Sequence, residues 1–314
     1  MATYNGGAFI NKQLDSIVQQ THLNWQLWIR DDGSSDDTLD IIDQYRQKYA
    51  NIRLFTNLSG VRGACANFSA LFELAQADAT LKYLMFCDQD DIWNTEKISK
   101  SLAALQEIEG APLSKPALVY GDLTLINEQD GFIPGNLKLI AKIRLRNLIS
   151  YNYALGCTMM LNRPLADEIG TIPRNAENHD YWVALVASIY QSRFLKEKLI
   201  NYRQHRQNVS GNIAGNNSFL SRIKRHVISP QKEIGMLRRR FLTLSDFFSH
   251  YEKKMTAHDR EILKDYLDAY GKGRVHVCYA ILKNGIFRNG FFQSVALIYH
   301  LLFFFNSIQS KPAV

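Results

Sequence analysis

The residues with the clearest capacity for chemistry are Asp88, Asp90 and Asp91, three carboxylates within four positions. Side chains at this spacing repel one another unless a cation joins them. A tight group of hard oxygen ligands suits Mg²⁺ or Mn²⁺ better than zinc, and such ions usually keep positions open for substrate phosphates. The alternative is a solvated acidic loop that caps the next helix. Because a second acidic pair, Asp31 and Asp32, also follows an apolar run, we favour the metal and phosphate interpretation.

The elements that must position these acids alternate between helix and strand. Apolar spacing predicts helices over residues 8–20, 39–45, 64–75 and 95–109, and strands over 25–30, 52–55, 81–86 and from 118 onward. Such alternation is typical of an α/β protein with a mainly parallel sheet. Ligands of these sheets bind at the carboxyl ends of strands, which is where both acidic groups stand.

Composition and missing motifs exclude several classes of protein. With 46% hydrophobic and 21% charged residues, the chain has the composition of a folded globular protein and not of a disordered one. It contains no P-loop, no G-x-G-x-x-G dinucleotide motif and no G-x-S-x-G nucleophile elbow. The four cysteines are far apart, which argues against a zinc site or a disulfide framework and indicates a reducing compartment. A metal-bound, phosphate-bearing small molecule remains as the expected ligand.

Three segments in order, residues 3–7, 31–38 and 88–93, together resemble a family 2 glycosyltransferase with the GT-A fold. The chain is more closely similar to bacterial rhamnosyltransferases of surface polysaccharide synthesis, over about residues 1–215. The resemblance implies an α/β GT-A catalytic domain (1–215) with a mixed, mainly parallel sheet, followed by a helical region (216–314). It implies inverting transfer of L-rhamnose from dTDP-L-rhamnose to a lipid-linked surface glycan. A UDP-hexose donor and a catalytically silent nucleotide-sugar-binding module are the alternatives.

The same resemblance implies roles on the donor side. The residues expected to contact the nucleotide sugar are Thr3, Tyr4, Asn5, Asp32, Asp88, Asp91 and Arg203. The expected ligands of Mg²⁺ or Mn²⁺ are Asp90, Asp88 and His205. The metal would neutralise charge on the nucleoside diphosphate as it leaves. Arg206 matches a position where the family commonly has a small residue, so a diphosphate contact from Arg206 stays open.

On the acceptor side the resemblance implies that Asp180 is the general base. From the residues alone, an aspartate at a helix start is a cap. The family's base occupies the Asp of such a pair, and Asp180 would take the proton from the attacking acceptor hydroxyl. The residues expected to border the acceptor are Gly156, Cys157, His179 and Trp182.

The last part of the chain is basic and predicted to be helical. Residues 216–314 contain 16 Lys and Arg against 7 Asp and Glu, with helices predicted over 219–227, 232–251, 257–270 and 275–284. The apolar segment 291–305 is shorter than the roughly 20 residues that span a membrane. It could lie on an anionic inner leaflet, or pack under the catalytic domain or a second copy while the basic residues face solvent. A lipid-linked acceptor favours the leaflet, and no nucleic-acid module accompanies the charge.

The start of the chain and its location in the cell complete these expectations. Polar residues follow Met1 at once, so no secretion signal is expected and the protein is placed in the cytoplasm, with peripheral contact to the inner membrane as the open question. Relatives begin with an apolar strand before the segment that matches Thr3, whereas here only Met1 and Ala2 precede it. We therefore expect the natural start to lie upstream.

Overall fold

The structure, a computed structural model, describes residues 1–110, 115–135, 137, 139–174, 176–205 and 230–309. Arg206, the predicted boundary between residues 215 and 216, and the predicted helix over 219–227 lie outside the described residues.

The described chain folds into eight strands and twelve helices, joined in part by 3₁₀ turns. The strands are β1 (Ala2–Thr3), β2 (Leu27–Asp31), β3 (Ile52–Thr56), β4 (Tyr83–Met85), β5 (Ile92–Trp93), β6 (Ala117–Ile126), β7 (Met160–Asn162) and β8 (Gln191–Arg203). The helices are α1 (Gly7–Val18), α2 (Thr38–Lys48), α3 (Ala64–Ala77), α4 (Lys97–Glu109), α5 (Leu145–Ser150), α6 (Arg163–Ile169), α7 (His179–Ala187), α8 (Gln231–Tyr251), α9 (Ala257–Lys272), α10 (Arg274–Asn284), α11 (Phe291–Phe303) and α12 (Phe305–Gln309).

The first sheet is parallel and has the order β1-β2-β3. Thr3 is in register with Asp31, so the segments that follow β1 and β2 leave the sheet at the same edge. The predicted periodicity of α1 holds, because Ile10, Leu14 and Ile17 are its buried apolar residues. This sheet therefore places the 3–7 segment beside the 31–38 segment.

The second sheet is mixed and has the order β4-β7-β6-β8-β5. β6 and β8 pair in parallel, whereas the pairs β4-β7, β7-β6 and β8-β5 are antiparallel. The short strand β5, which the sequence pattern did not predict, aligns Ile92 with Asn201 and so brings the acids after β4 against the end of β8. The predicted α/β class with a mixed sheet is confirmed, and the antiparallel pairs belong to this second sheet.

The C-terminal helices α8 to α12 share a hydrophobic core with the front of the chain. Leu244 and Phe247 of α8 are fully buried, and the Phe247 ring meets Trp182 of α7 edge-on at 6.2 Å. The predicted helices over 232–251, 257–270 and 275–284 occur within two residues of these bounds, and the 291–305 segment divides into α11 and the start of α12. Among the described helices, none combines the length and apolar character needed to cross a bilayer.

Candidate active site

The site begins where the loop after β4 contacts the segment after β1. Gln89, between the two acids of the predicted D-x-D motif, donates its amide to the carbonyl of Tyr4 (3.0 Å) and accepts from the Tyr4 amide (2.9 Å). A Cβ on Gly6 would stand 2.4 Å from Oε1 of Gln89, so a larger residue there would displace the Gln89 side chain from these hydrogen bonds. Two motifs more than 80 positions apart are thereby held in one place. The sequence analysis gave Gln89 no role, because the middle position of such a motif carries no signal of its own.

A second set of hydrogen bonds locks the segment after β1 to the loop after β2. The Asn5 amide donates to Oγ of Ser34 and the Ser35 amide donates to Oδ1 of Asn5, each at 2.8 Å. Asn5 adopts a left-handed φ of 47°, which asparagine tolerates. Thr3 is buried and donates to Asp31 at 2.8 Å. Thr3 and Asn5 therefore shape the loops, and Tyr4, with 52% of its surface exposed, is the residue of this segment that offers a ring to a ligand.

Asp31 and Asp32 are buried and supplied with donors by the protein itself. Asp31 accepts from Thr3, from the Gly33 amide (2.8 Å) and from the amide and hydroxyl of Ser34 (2.7 and 2.6 Å). Asp32 forms an ion pair with Arg30 (3.0 Å) and accepts from the Gly63 amide (2.8 Å). The predicted contact of Asp32 with the nucleotide would thus come from a carboxylate that is already neutralised.

The acids after β4 are in a different environment. Burial, followed by the charges of Asp90 and Asp180, raises the pKa of Asp88 to about 7. Burial, followed by the charges of Asp90 and Asp88, raises the pKa of Asp91 well above its usual range. Oδ2 of Asp91 is buried without a hydrogen-bond partner among the described residues. This cluster carries more negative charge than its surroundings neutralise.

The structure brings two of the three predicted metal ligands into direct contact. Nε2 of His205 lies 2.6 Å from Oδ2 of Asp90, and both side chains keep some exposed surface. The third predicted ligand, Asp88, precedes Asp90 by two positions in the sequence and is partly exposed.

A different trio, Asp88, Asp91 and Cys157, places its ligand atoms within 4.8 Å of one another. Burial raises the pKa of the Cys157 thiol well above its usual range, so this sulfur stays protonated and is a poor ligand for hard cations. Asp91 is also fully buried, out of reach of an entering diphosphate. The oxygen-rich donor set and its surplus charge fit Mg²⁺ or Mn²⁺, and the predicted ligands Asp88, Asp90 and His205 all keep some exposed surface.

Arg203 and Asp91 differ from their predicted positions. The Arg203 side chain has no exposed surface; its Nε donates to the Asp90 carbonyl (2.8 Å) and its Nη1 pairs with Asp130 (2.5 Å). Oδ1 of Asp91 accepts from the Arg203 amide at 3.1 Å. In this structure both residues help to fix the loop that carries Asp88 and Asp90, and the contacts predicted for them with diphosphate and sugar stay predictions.

Asp180 lies at the start of α7 with an environment suited to a general base. Burial raises its pKa to about 6, while the Gly156 amide donates to Oδ2 at 3.0 Å. Its Oδ1 has no hydrogen-bond partner among the described residues. A Cβ on Gly156 would stand 2.7 Å from Nε2 of His179, so the loop approaches the carboxylate only because glycine stands there. Gly156, predicted to border the acceptor, is thus in contact with Asp180, the predicted base.

The other residues predicted to border the acceptor are buried behind Asp180. His179 stacks on Phe68 with ring centroids 4.0 Å apart, and burial lowers its pKa to about 3, so the imidazole is neutral. Trp182 packs in the core between α7 and α8, and Cys157 is also buried. All three side chains are buried around the segment that carries Asp180, and the contacts predicted for them with the acceptor stay predictions.

Two basic residues without a predicted role stand near the site. Arg240 of α8 is buried and forms a bidentate ion pair with Glu177, at 2.7 and 2.5 Å, three positions before Asp180. Arg62 is exposed, and its guanidinium approaches Gly33 in the loop after β2. Neither position follows a motif, and Glu177 and Arg240 are 63 positions apart, so only the folded chain reveals them.

Comparisons with known proteins agree with this geometry. The model of glycosyl transferase family 2 matches residues 1–170. The chain is 27% identical over 238 residues to a dTDP-rhamnosyl transferase, RfbG, of Shigella flexneri, covering 72% of this chain and 77% of that protein. It is 27% identical over 187 residues to a UDP-Glc:α-D-GlcNAc-diphosphoundecaprenol β-1,3-glucosyltransferase, WfgD, of Escherichia coli, covering 59% and 68%.

Solved structures show the same fold. A structure of Staphylococcus aureus TarS 1–349 in complex with UDP superposes with a TM-score of 0.56 at 16% identity, covering 95% of this chain and 89% of that one. GalNAc-T7 with UDP, GalNAc and Mn²⁺ has a TM-score of 0.50 at 12% identity, covering 99% and 57%. The family match spans more than half of the chain and includes the loops that carry Asp32, Asp88 and Asp90, and the fold is GT-A: the protein belongs to glycosyl transferase family 2.

Proposed function

We propose that the protein transfers a sugar from a nucleoside diphosphate donor to an acceptor hydroxyl, with inversion at the anomeric carbon. The observation that carries this proposal is the meeting of Asp88, Asp90 and Asp180, where the charge of Asp180 contributes to the raised pKa of Asp88. An acidic pair for the donor and a separate carboxylate for the acceptor are the two halves that a direct displacement needs.

On the donor side, the exposed ring of Tyr4 is available to stack on the nucleotide base, and Arg62 is available to the diphosphate. Asp88, Asp90 and His205 would hold Mg²⁺ or Mn²⁺, which neutralises the charge of the departing diphosphate when bound. Thr3, Asn5 and Asp32 shape the nucleotide pocket through their hydrogen bonds. Asp91 and Arg203 hold the metal loop in place.

On the acceptor side, Asp180 takes the hydroxyl proton while the acceptor oxygen bonds to the anomeric carbon. The bond from that carbon to the diphosphate oxygen breaks, and its electron pair leaves with the nucleoside diphosphate. The Gly156 amide fixes one oxygen of Asp180 and leaves the other for the proton. A pKa of about 6 keeps the carboxyl ionised near neutral pH and close to the operating pH, which favours general base catalysis.

For the sugar, we infer L-rhamnose from dTDP-L-rhamnose, supported by the rhamnosyl transferase among the relatives. The glucosyltransferase relative, whose name specifies a UDP-Glc donor and a diphosphoundecaprenol-linked acceptor, supports a UDP-hexose as the second candidate. The same name supports a lipid-linked glycan as acceptor, and with it surface polysaccharide synthesis at the cytoplasmic face of the inner membrane.

The test is nucleoside diphosphate release by the purified full chain with Mn²⁺ and a panel of nucleotide sugars, with and without a lipid-diphosphate-linked sugar. Release from dTDP-L-rhamnose that is absent in Asp90→Asn supports the proposal, whereas Asp43→Asn, an exposed acid of α2, should behave as wild type. If only a UDP-hexose gives release, the donor of the proposal becomes that UDP-hexose in place of dTDP-L-rhamnose. Metal-dependent donor binding with no release under any of these conditions would identify a silent binding module and contradict the transferase proposal.

A further inference from the structure

The helices α10 and α11 expose apolar side chains on the side opposite the core. In α11, Leu297 and Leu301 are buried, whereas Phe291, Phe292 and Phe303 are 78%, 61% and 69% exposed. In α10, Val277 and Ile281 are buried while Val275, Tyr279 and Leu282 are exposed. Nη1 of Arg274, at the start of α10, donates to the Leu302 carbonyl near the end of α11, so the two helices run antiparallel. We call Val275, Tyr279, Leu282, Phe291, Phe292 and Phe303 the aromatic face.

Positive charge predominates around the aromatic face. From residue 269 to residue 309 the chain contains no Asp or Glu, while it contains Lys272, Arg274, Lys283 and Arg288. Arg288 pairs with Glu233 and Lys283 pairs with Asp265, and Glu261 of α9 also acts on Lys283. Lys272 and Arg274 stand exposed beside Val275.

This charge pattern selects between two kinds of occupant. Exposed aromatic side chains bordered by cations match a bilayer with anionic headgroups, which takes up the rings and attracts the cations. A second copy of the same face would bring Lys272 and Arg274 into a surface on which positive charge predominates, which is unfavourable. The aromatic face is therefore complementary to lipid and not to itself.

The position of the face relative to the base supports the same occupant. The turn between α10 and α11 rests on the segment that leads to the acceptor-side loop. Oγ of Ser150 donates to the Phe287 carbonyl (2.9 Å), and the Asn289 amide donates to the hydroxyl of Tyr153 (2.7 Å). Gly156, three positions beyond Tyr153, donates to Asp180. The end of the face that carries Phe291 and Phe292 is thus connected to the base by a short, hydrogen-bonded stretch.

We propose that the aromatic face docks the protein on an anionic lipid bilayer, with Phe291 and Phe292 entering the headgroup region and Lys272 and Arg274 contacting lipid phosphates. Docking in this orientation presents the acceptor side of the site to a glycan carried on the same bilayer. The inference rests on the proposed function only for the nature of that acceptor.

Flotation of the full chain with vesicles tests the docking. Wild type is expected to float with phosphatidylglycerol-containing vesicles and much less with pure phosphatidylcholine. Phe291→Ser/Phe292→Ser should weaken binding to the anionic vesicles by about a hundredfold, because each buried ring contributes about tenfold. Lys272→Gln/Arg274→Gln should weaken it less and reduce its sensitivity to salt. Leu23→Ser, an equally exposed apolar residue before β2, is the matched control.

Donor binding and sedimentation separate the possible failures. All variants should bind the nucleotide sugar and Mn²⁺ as wild type does, because none of the substituted residues contacts the site. If wild type shows donor-dependent turnover but ignores anionic vesicles, the docking inference is wrong and the proposed function stands. If Phe291→Ser/Phe292→Ser abolishes a dimer seen by sedimentation without changing vesicle binding, the face is an interface between copies and the inference is overturned.

Discussion

Two groups of carboxylates stand at strand ends in this protein, and they differ in what neutralises them. Asp31 and Asp32, after β2, receive backbone amides, hydroxyls and the buried guanidinium of Arg30. Asp88 and Asp91, after β4, face other carboxylates, and their pKa values are raised. The protein itself neutralises the first group, whereas the second group keeps a surplus of negative charge that the proposed cation would neutralise. A carboxylate that serves the fold and one that serves a ligand are thus distinguished by their partners and not by their sequence.

Asp180→Asn, at the edge of the uncompensated group, should have the largest effect. The amide oxygen can still accept from Gly156, so the fold is retained, but no proton can be taken from the acceptor. We expect the rate of transfer to fall by roughly a thousandfold, within the range typical of a lost general base. Steady-state kinetics with the best donor, together with donor binding by calorimetry, measure this.

Donor affinity should be unchanged in Asp180→Asn, and Asp167→Asn, an exposed acid of α6, should be fully active. Wild-type turnover in Asp180→Asn would remove Asp180 from the role of base.

Arg240→Met should have the next largest effect, on the free energy of unfolding. It leaves the buried Glu177 without its bidentate partner, three positions before Asp180, at a cost of about 3 kcal/mol or more. Thermal and denaturant unfolding measure the loss. Replacing both partners, in Glu177→Leu/Arg240→Met, should recover most of the stability, because no unpaired charge remains. Equal destabilisation of the single and double variants would show that packing, and not the ion pair, joins α8 to the base segment.

Asp32→Asn tests the group that the protein itself neutralises, and its main effect should be a lower free energy of unfolding. The variant leaves the buried Arg30 without its carboxylate, although Asn57, Asn67 and Ser59 still contact the guanidinium. We expect a loss of about 2 kcal/mol in the free energy of unfolding. By contrast, Asp88→Asn should leave stability unchanged or raise it, since it relieves repulsion. If Asp88→Asn proved the more destabilising of the two, the contrast between the groups would be reversed.

The sequence was sufficient to predict those helices and strands whose apolar residues recur at regular spacing. Apolar spacing predicted α1, α3 and α4 and the strands before both acidic groups, because each element buries one face. Motif resemblance predicted that Asp90 and His205 belong together, 115 positions apart, and the structure places them in contact. The sequence pattern could not show that Arg203 and Asp91 hold the loop that carries Asp88 and Asp90, because their burial depends on the pairing of β5 with β8. Strand β5 has only two residues, which is too short to give a periodic pattern.

The metal and the proton should compete for the group after β4. The pKa values of Asp88 and Asp180, about 7 and about 6, exceed the ordinary value of 3.8, so the metal-free folded state binds these protons more tightly than the unfolded chain does. The contribution of these two groups to the free energy of unfolding without metal is therefore fully present below about pH 4 and is lost as the pH rises to about 7. Mn²⁺ binds the ionised carboxylates and should reverse this loss, by about 2.7 kcal/mol at a hundredfold excess over its dissociation constant. Thermal unfolding at about pH 5 and about pH 7.5 should show the larger metal effect at the higher pH, where protons no longer compete. If Asp88→Asn/Asp90→Asn showed the same pH dependence of the stabilisation by Mn²⁺, the cation would bind elsewhere. The group after β4 would then need a cation no more than the group after β2 does.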